Sequence, residues 1–299
     1  MQYCNWEKLW RDEESENLKA ILGIGTAGSN IANSFKKFKA YDVYTVSNQN
    51  QKNTKFNLKL PTFDHPEEYE SHVEPKLKGF MAKIFGPVDV FLCGANCSTA
   101  ISLRALKHLH DRGQKINVFY VEPEIEVLGK IQTLQERASR GILQQYARSG
   151  LFESITILSN KSVEVFLDSV TIMNYYKKLN ECISSTCHMI NTFKKSESVV
   201  STFSKLPESC KIKTIGVSSC DDPRDEMFYP FDEEKEVRYY FGISRSKLEQ
   251  EEGLHRKIMD KVTNRMKEGI TVSYSIIPTE YEEDYVYVEY YSSKIQENT

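Results

Sequence analysis

Gly23-Ile24-Gly25-Thr26-Ala27-Gly28-Ser29-Asn30 is the stretch on which the fold turns. The apolar run Ala20-Ile21-Leu22-Gly23-Ile24 that feeds it reads as a buried strand. Ile31, Phe35 and Phe38 then recur at helical spacing, which predicts a helix from Asn30 to Lys37. A glycine turn between a strand and a helix lets backbone amides approach a phosphate at the helix N-terminus. GxGxxG in this setting points first to a dinucleotide site and a nicotinamide-dependent oxidoreductase. That reading requires an acidic residue at the end of the second strand to hold the ribose hydroxyls. The second strand, Asp42-Val43-Tyr44-Thr45-Val46, runs instead into Ser47 and Asn48, which weighs against it.

Working outward, buried-strand signals recur at Val88–Cys93, Ile116–Val121 and Ser154–Leu158. Between them, a loop over Gly94–Thr99 leads into a helix ending at His110, and a long helix covers Lys130 to Ser149. Residues 52–87 are polar, with one helix expected over 76–85. This alternation predicts a mostly parallel sheet covered on both faces. Asp168 to Lys194 contains no Gly or Pro and reads as one long helix. Beyond Pro207, strands at Lys211–Val217 and Val237–Ile243 flank an acidic connection. A charged amphipathic helix carries Leu248, Leu254, Ile258, Val262 and Met266, and the strands Ile270–Ile277 and Tyr285–Tyr291 follow. Their alternating tyrosine and valine predict a sheet with one wet face. Trp6 and Trp10, one turn apart, suggest a short helix packed on the body.

The chain has 299 residues, 40% of them hydrophobic, enough for two modest cores or one large one. A net charge of −3 gives no global basic field, so nucleic acid is not an expected partner. Seven cysteines at irregular spacings, without a CxxC pair, read as reduced thiols and not as a zinc site. His108-Leu109-His110 face apart on a helix, so no metal pair is expected there. The acidic runs Asp221–Glu226 and Asp232–Glu234 read as solvated connections. No signal peptide is visible at Met1–Glu7, and no apolar run approaches the roughly 20 residues of a membrane span. The expectation is a soluble, cytoplasmic protein.

Gly23, Gly25, Gly28, Ser29, Asn30 and Asn33 together resemble the first nucleotide loop of the tubulin/FtsZ superfamily. Ser159-Asn160 is similar to a Pro-Asn pair of that family whose Asn contacts the base. Tyr176-Lys177-Lys178-Leu179-Asn180-Glu181 looks like the start of its central helix, where an aromatic residue stacks on guanine and an Asn–acid pair reads its edge. The chemistry is apt, because a carboxylate accepts from both N1–H and the exocyclic amine of guanine. The resemblance runs from Ala20 to Ser292. It implies an α/β fold with a mostly parallel nucleotide-fold sheet, a long central helix and a smaller C-terminal α/β domain. The implied division is an N-terminal extension (1–19), a nucleotide-binding-type domain (20–168), the central helix (169–195) and the C-terminal domain (196–299). It also implies GTP or GDP with magnesium, and head-to-tail self-association or a protein partner. Gly25, Gly28 and Ser29 would meet the phosphates, with Gly23, Asn30, Gly94, Ser98 and Thr99 in the same set. Asn160, Tyr176, Asn180 and Glu181 would hold the base.

The chain also departs from the family. Its glycine-rich phosphate loop is replaced by Cys93-Gly94-Ala95-Asn96-Cys97-Ser98-Thr99-Ala100, in which one glycine remains and side chains crowd backbone that must approach phosphate. Ser98 and Thr99 suit either a helix N-cap or a phosphate contact. Leu128 and Gln132 occupy the nearest positions to a Glu and an Arg that the family uses on sugar and phosphates. Leu128-Gly129 followed by Thr133-Leu134 looks closer to phage-encoded tubulin-like proteins. After the central helix, Lys194–Val199 offers Glu197 alone as the carboxylate that would position the attacking water. Losing such a group costs orders of magnitude in rate. The expectation is a structural or assembly protein with a degraded GTP site and weak or absent hydrolysis. The alternative is an active GTPase forming dynamic filaments, with Glu197 catalytic.

Overall fold

The computed structural model describes residues 19–49, 52–95, 97–167, 170–266 and 269–297. Trp6 and Trp10 lie outside them. The chain forms two compact units, divided between Ser184 and Ser185.

In the first unit the elements are β1 (Lys19–Ile24), α1 (Gly25–Ser34), β2 (Tyr41–Ser47), β3 (Asn57–Lys59), α2 (Pro66–Ser71), α3 (Leu77–Met81) and β4 (Val88–Cys93). They continue with α4 (Ser102–His110), β5 (Ile116–Glu122), α5 (Lys130–Arg148), β6 (Ser154–Ser159) and α6 (Asn160–Glu164). The strands lie in the order β3-β2-β1-β4-β5-β6, every pair parallel. β4 is buried along its whole length, as a central strand with both faces covered must be. Its Phe91 stacks on Phe119 with ring centroids 4.7 Å apart. At the N-terminal ends of the strands, Lys19 reaches the Asp89 carboxylate at 3.0 Å, and Asn117 donates to it at 2.9 Å. The order reverses between β1 and β4, and in open parallel sheets ligands sit beyond the carboxyl ends of the strands at such a point.

Several expectations need correction here. α1 begins at Gly25, five residues before the expected Asn30, so the glycine stretch is the helix's first turn. Residues 52–87 hold a strand and two short helices instead of one helix. The long helix α7 spans Tyr175–Phe193; Ile172–Asn174 before it form a single 3-10 turn.

The second unit contains β7 (Val200–Ser201), β8 (Ile212–Ser218), β9 (Glu226–Met227), β10 (Glu236–Ser244), α8 (Arg245–Gln250), α9 (Leu254–Met266), β11 (Thr271–Thr279) and β12 (Tyr285–Ser292). The expected single amphipathic helix is thus two, because Glu251 leaves α8 in extended conformation. The strand order is β8-β12-β10-β11-β7, with β9 on β8. β10 and β11 are parallel, joined by the α8–α9 crossover, and the remaining pairs are antiparallel.

The expected wet face is absent from β12. Val286, Val288 and Tyr290 join the core around Leu254, Ile258 and Val262 of α9. Tyr287, Glu289 and Tyr291, on the opposite face, are buried as well, and Phe193 meets Tyr287 edge-on at 5.7 Å. The acidic connection is not wholly solvated either. The Asp225 side chain is 3% exposed, pairs with Lys261 at 3.1 Å and accepts from Tyr290 Oη at 2.6 Å and from Tyr239. Six cysteines among the described residues are free thiols. No helix among those residues is long and apolar enough to cross a membrane.

Candidate functional site

Two segments meet beyond the carboxyl ends of β1 and β4, where the strand order reverses. Gly25 leaves β1 with φ +76°, a left-handed conformation that glycine tolerates. A Cβ there would lie 2.7 Å from Thr99 Oγ1 and 3.2 Å from Ser98 Oγ. The segment after β1 therefore faces the two hydroxyl residues of the 3-10 turn after β4, Cys97–Ile101. Thr99 Oγ1 is buried and has no hydrogen-bond partner. An orphaned hydroxyl beside a cradle that only glycine leaves open, at a helix N-terminus, fits a phosphate oxygen.

The other residues of the glycine stretch are placed differently. A Cβ on Gly28 would lie 2.3 Å from the Phe91 carbonyl oxygen, so Gly28 lets α1 pack directly on β4. Gly23 lies equally close to the backbone of Gly28 and Ser29. Ser29 is buried, and its hydroxyl donates to the Gly23 carbonyl at 3.2 Å. Asn30 is exposed and accepts from Gln49 Nε2 at 2.9 Å. Thr26 donates to Asn48 at 2.9 Å, and Asn48 donates to Tyr69 Oη at 3.0 Å, which ties the first turn of α1 to the end of β2.

A charged cluster that the sequence reading missed lies under Gly94. Arg140 of α5 sits 3.2 Å from Glu136 and 3.3 Å from Glu122, all three buried. Tyr120 donates to Glu136 at 3.3 Å. A Cβ on Gly94 would meet Tyr120 Oη at 2.5 Å, so this cluster supports the loop after β4 from below. Burial pushes the Glu136 carboxyl up despite the pull of Arg140, and burial followed by the Glu136 charge pushes the Tyr120 hydroxyl well up. Glu136 and Arg140, at i and i+4 on one helix, were the available signal.

Of the residues that the sequence suggests for a base, Asn160 opens α6 and is half-buried. Tyr176 is exposed, edge-on to Tyr175 with centroids 5.2 Å apart. Asn180 and Glu181 are half-buried one turn further along α7. Glu181 faces Lys178 at 3.3 Å and Lys177 at 3.9 Å. Desolvation lowers the Lys37 ammonium of the turn after α1, and the Glu181 charge opposes that shift. α1 and the start of α7 therefore share one polar neighbourhood. Asn33 Oδ1 of α1 is buried without a hydrogen-bond partner.

Neither a family model nor a curated protein matches the sequence. Solved structures do match in shape. TubZ of Bacillus thuringiensis serovar israelensis, in GDP-form protofilaments, superposes with TM-score 0.71 at 13% identity, over 93% of this chain and 86% of that one. CetZ2 from Haloferax volcanii, a GTPγS-bound protofilament, gives TM-score 0.69 at 13% identity, over 91% of this chain and 92% of that one. An FtsZ dimer of M. jannaschii gives 0.65 at 10%, over 94% and 89%. The chain has the tubulin/FtsZ fold.

Glu197, the carboxylate that the sequence suggests for hydrolysis, lies in the segment after α7. It is exposed here and lines an open cavity of about 350 Å³ with Ser196, Ser198, Val199, Arg245 and Pro278. No cluster of three or more His, Cys, Asp or Glu able to hold a metal occurs among the described residues. A magnesium ion would be held mainly by phosphate oxygens, which is the usual mode for that ion. Ala95 has φ +55°, the left-handed region, at the loop where the family has glycines. Ala95→Gly is expected to stabilise the protein by roughly 1 kcal/mol by relieving this strain, as read from the denaturant midpoint. An unchanged or lower midpoint would show that Ala95 is not strained.

Proposed function

We propose that this protein holds a guanine nucleotide in the crevice above β1 and β4 and assembles head to tail into filaments, with weak or absent hydrolysis. The observation that carries this is the Gly25–Thr99 pair: a left-handed glycine facing a buried, unpartnered hydroxyl at a helix N-terminus. When bound, the nucleotide would supply the negative charge for which α1's N-terminal amides and Thr99 are arranged. Asn33, Asn180 and Glu181 would read the base edge, and Glu181 supplies selectivity by accepting from two guanine donors. Ile172 and Met173, almost fully exposed beside Tyr176, add an apolar surface of the kind that self-association covers. The likeness to TubZ and CetZ2 protofilaments supports the same reading. The reading of weak hydrolysis rests on Glu197 being the sole carboxylate over Lys194–Val199.

Calorimetric titration with GTP in the presence of magnesium tests the proposal, with ATP and a Glu181→Ala variant alongside. The wild type is expected to bind GTP and not ATP. Losing two charge-assisted hydrogen bonds should weaken GTP binding about hundredfold in the variant. No heat with the wild type, and no nucleotide released on denaturation, would overturn the proposal. Light scattering that decays as phosphate appears would replace weak hydrolysis by dynamic turnover.

A further inference from the structure

Helix α5 turns its polar groups inward. Its buried face holds Glu136, Arg140 and Gln144 beside Leu143 and Ala147. Its outward face leaves Ile131 73%, Leu134 66%, Ile142 44% and Tyr146 36% exposed, with Ala138 exposed among them. At about 100° per residue these five side chains fall within roughly 120° of one another, a continuous apolar stripe about 22 Å long. The charges are arranged as regularly. Lys130, Arg137 and Arg148 are all exposed, and successive members are seven and eleven residues apart. At about 3.6 residues per turn these intervals are close to two and three whole turns, so the three cations form one row along one flank of the stripe. The other flank, with Gln132, Gln135 and Ser139, is uncharged. The helix's only carboxylate, Glu136, is buried against Arg140. Just before the helix the exposed Glu126 is paired with Lys161 at 2.6 Å, and Glu153 lies beyond the stripe's last turn.

The pattern identifies the occupant. An apolar stripe beside a row of cations, on a helix with no exposed carboxylate, matches the boundary between headgroups and acyl chains of an anionic bilayer. The stripe enters that boundary while the Lys and Arg stems lie along it and carry their charges to the phosphates. Tyr146, at one end, has the amphipathic ring that such boundaries favour. A protein partner would have to offer carboxylates at the same two- and three-turn intervals beside its own apolar strip. A lipid surface supplies negative charge at any spacing. We propose that the outward face of α5 docks this protein on an anionic membrane surface, with the helix lying in the plane of the interface. No helix among the described residues is long and apolar enough to cross a membrane, so this attachment is peripheral. It goes beyond the nucleotide reading, because neither the Gly25–Thr99 pair nor a nucleotide takes part in it.

The test is flotation of the full chain, without nucleotide, at low and high salt. The vesicles are phosphatidylcholine alone, or phosphatidylcholine and phosphatidylserine in equal parts. The wild type should float with the anionic vesicles at low salt, leave them as salt rises, and stay off the neutral ones. An Ile131→Glu/Leu134→Glu variant alters only exposed positions and should melt like the wild type. It should lose at least about tenfold in vesicle affinity. Arg137→Glu/Arg148→Glu leaves the apolar stripe whole and should lose at least about tenfold through charge alone. If the first variant melts early, the second decides. A wild type that ignores anionic vesicles, or binds neutral ones as tightly, would overturn the proposal, as would charge-reversed protein that floats like the wild type. So would a wild type that stays off vesicles and self-associates through the stripe, which would make it a protein contact. Failure to float leaves the GTP reading standing, and failure to bind GTP leaves the membrane contact standing.

Discussion

Replacing Glu289 by glutamine is expected to destabilise the second unit by about 3–5 kcal/mol, the usual result of breaking a buried ion pair. Glu289 lies in β12 and is completely buried. Its two oxygens accept from Lys194 at 2.9 Å, Lys213 at 2.7 Å, Tyr240 at 2.8 Å and Tyr291 at 2.8 Å. Glutamine keeps the shape but turns one acceptor into a donor aimed at donors. It also leaves two ammonium groups facing a neutral amide, one of them, Lys213, nearly buried. Burial alone would raise the Glu289 carboxyl, but Lys194 and Lys213 hold it well below the ordinary carboxylate range. A depressed folded-state value means that this stabilisation is fully present above the unfolded value of about 4.3 and is lost as pH falls through the folded one. Denaturant unfolding should therefore show the full gap between wild type and variant at neutral pH, and the gap should close in strong acid. A difference below about 1 kcal/mol at neutral pH would mean that the charge is not what holds these groups. Because Lys194 follows directly after α7, the same variant should also loosen the loop that carries Glu197.

Two buried carboxylates, Glu289 and Asp225, explain why the second unit is harder to read from sequence than the first. β4 was legible to the residue because a strand covered on both faces shows as an unbroken apolar run. β12 is also covered on both faces, yet it spells tyrosine and glutamate in alternation with valine. On one face Tyr240 and Tyr291 carry their hydroxyls to Glu289, and on the other Tyr239 and Tyr290 carry theirs to Asp225. Polar letters that satisfy each other inside a core look the same in sequence as polar letters facing water. The start of α1, at Gly25 and not Asn30, is hidden for a related reason. Gly25-Thr26-Ala27-Gly28 has poor helix propensity, but small residues are what let a helix lie directly on β1 and β4. In the crevice, Gly25 and Thr99 were legible because backbone geometry and cap chemistry leave local marks. The inward turn of Ser29 and the Glu122–Arg140–Glu136 support were not, since both depend on which elements become neighbours.

Gly25→Ala and Gly28→Ala are expected to fail in opposite ways. At Gly28 the new Cβ would lie 2.3 Å from the Phe91 carbonyl oxygen, backbone in the middle of the sheet that cannot yield. That variant should lose about 3 kcal/mol or more of stability, since α1 must lift off β4. At Gly25 the nearest atoms are the Thr99 and Ser98 hydroxyls, at 2.7 and 3.2 Å, and these can rotate away. The stability cost there is mainly the left-handed backbone, about 1–2 kcal/mol, and the fold should survive. Binding should not survive, because the methyl group occupies the space next to Thr99 Oγ1 that a phosphate oxygen would take. Circular-dichroism melts combined with GTP calorimetry separate the two effects. Gly25→Ala should melt close to the wild type while its GTP affinity falls about hundredfold or more, the value of one or two charge-assisted hydrogen bonds and a displaced phosphate. If Gly25→Ala binds GTP as the wild type does, the phosphates do not sit between the first turn of α1 and Thr99. The left-handed glycine would then serve only the close packing of two loops.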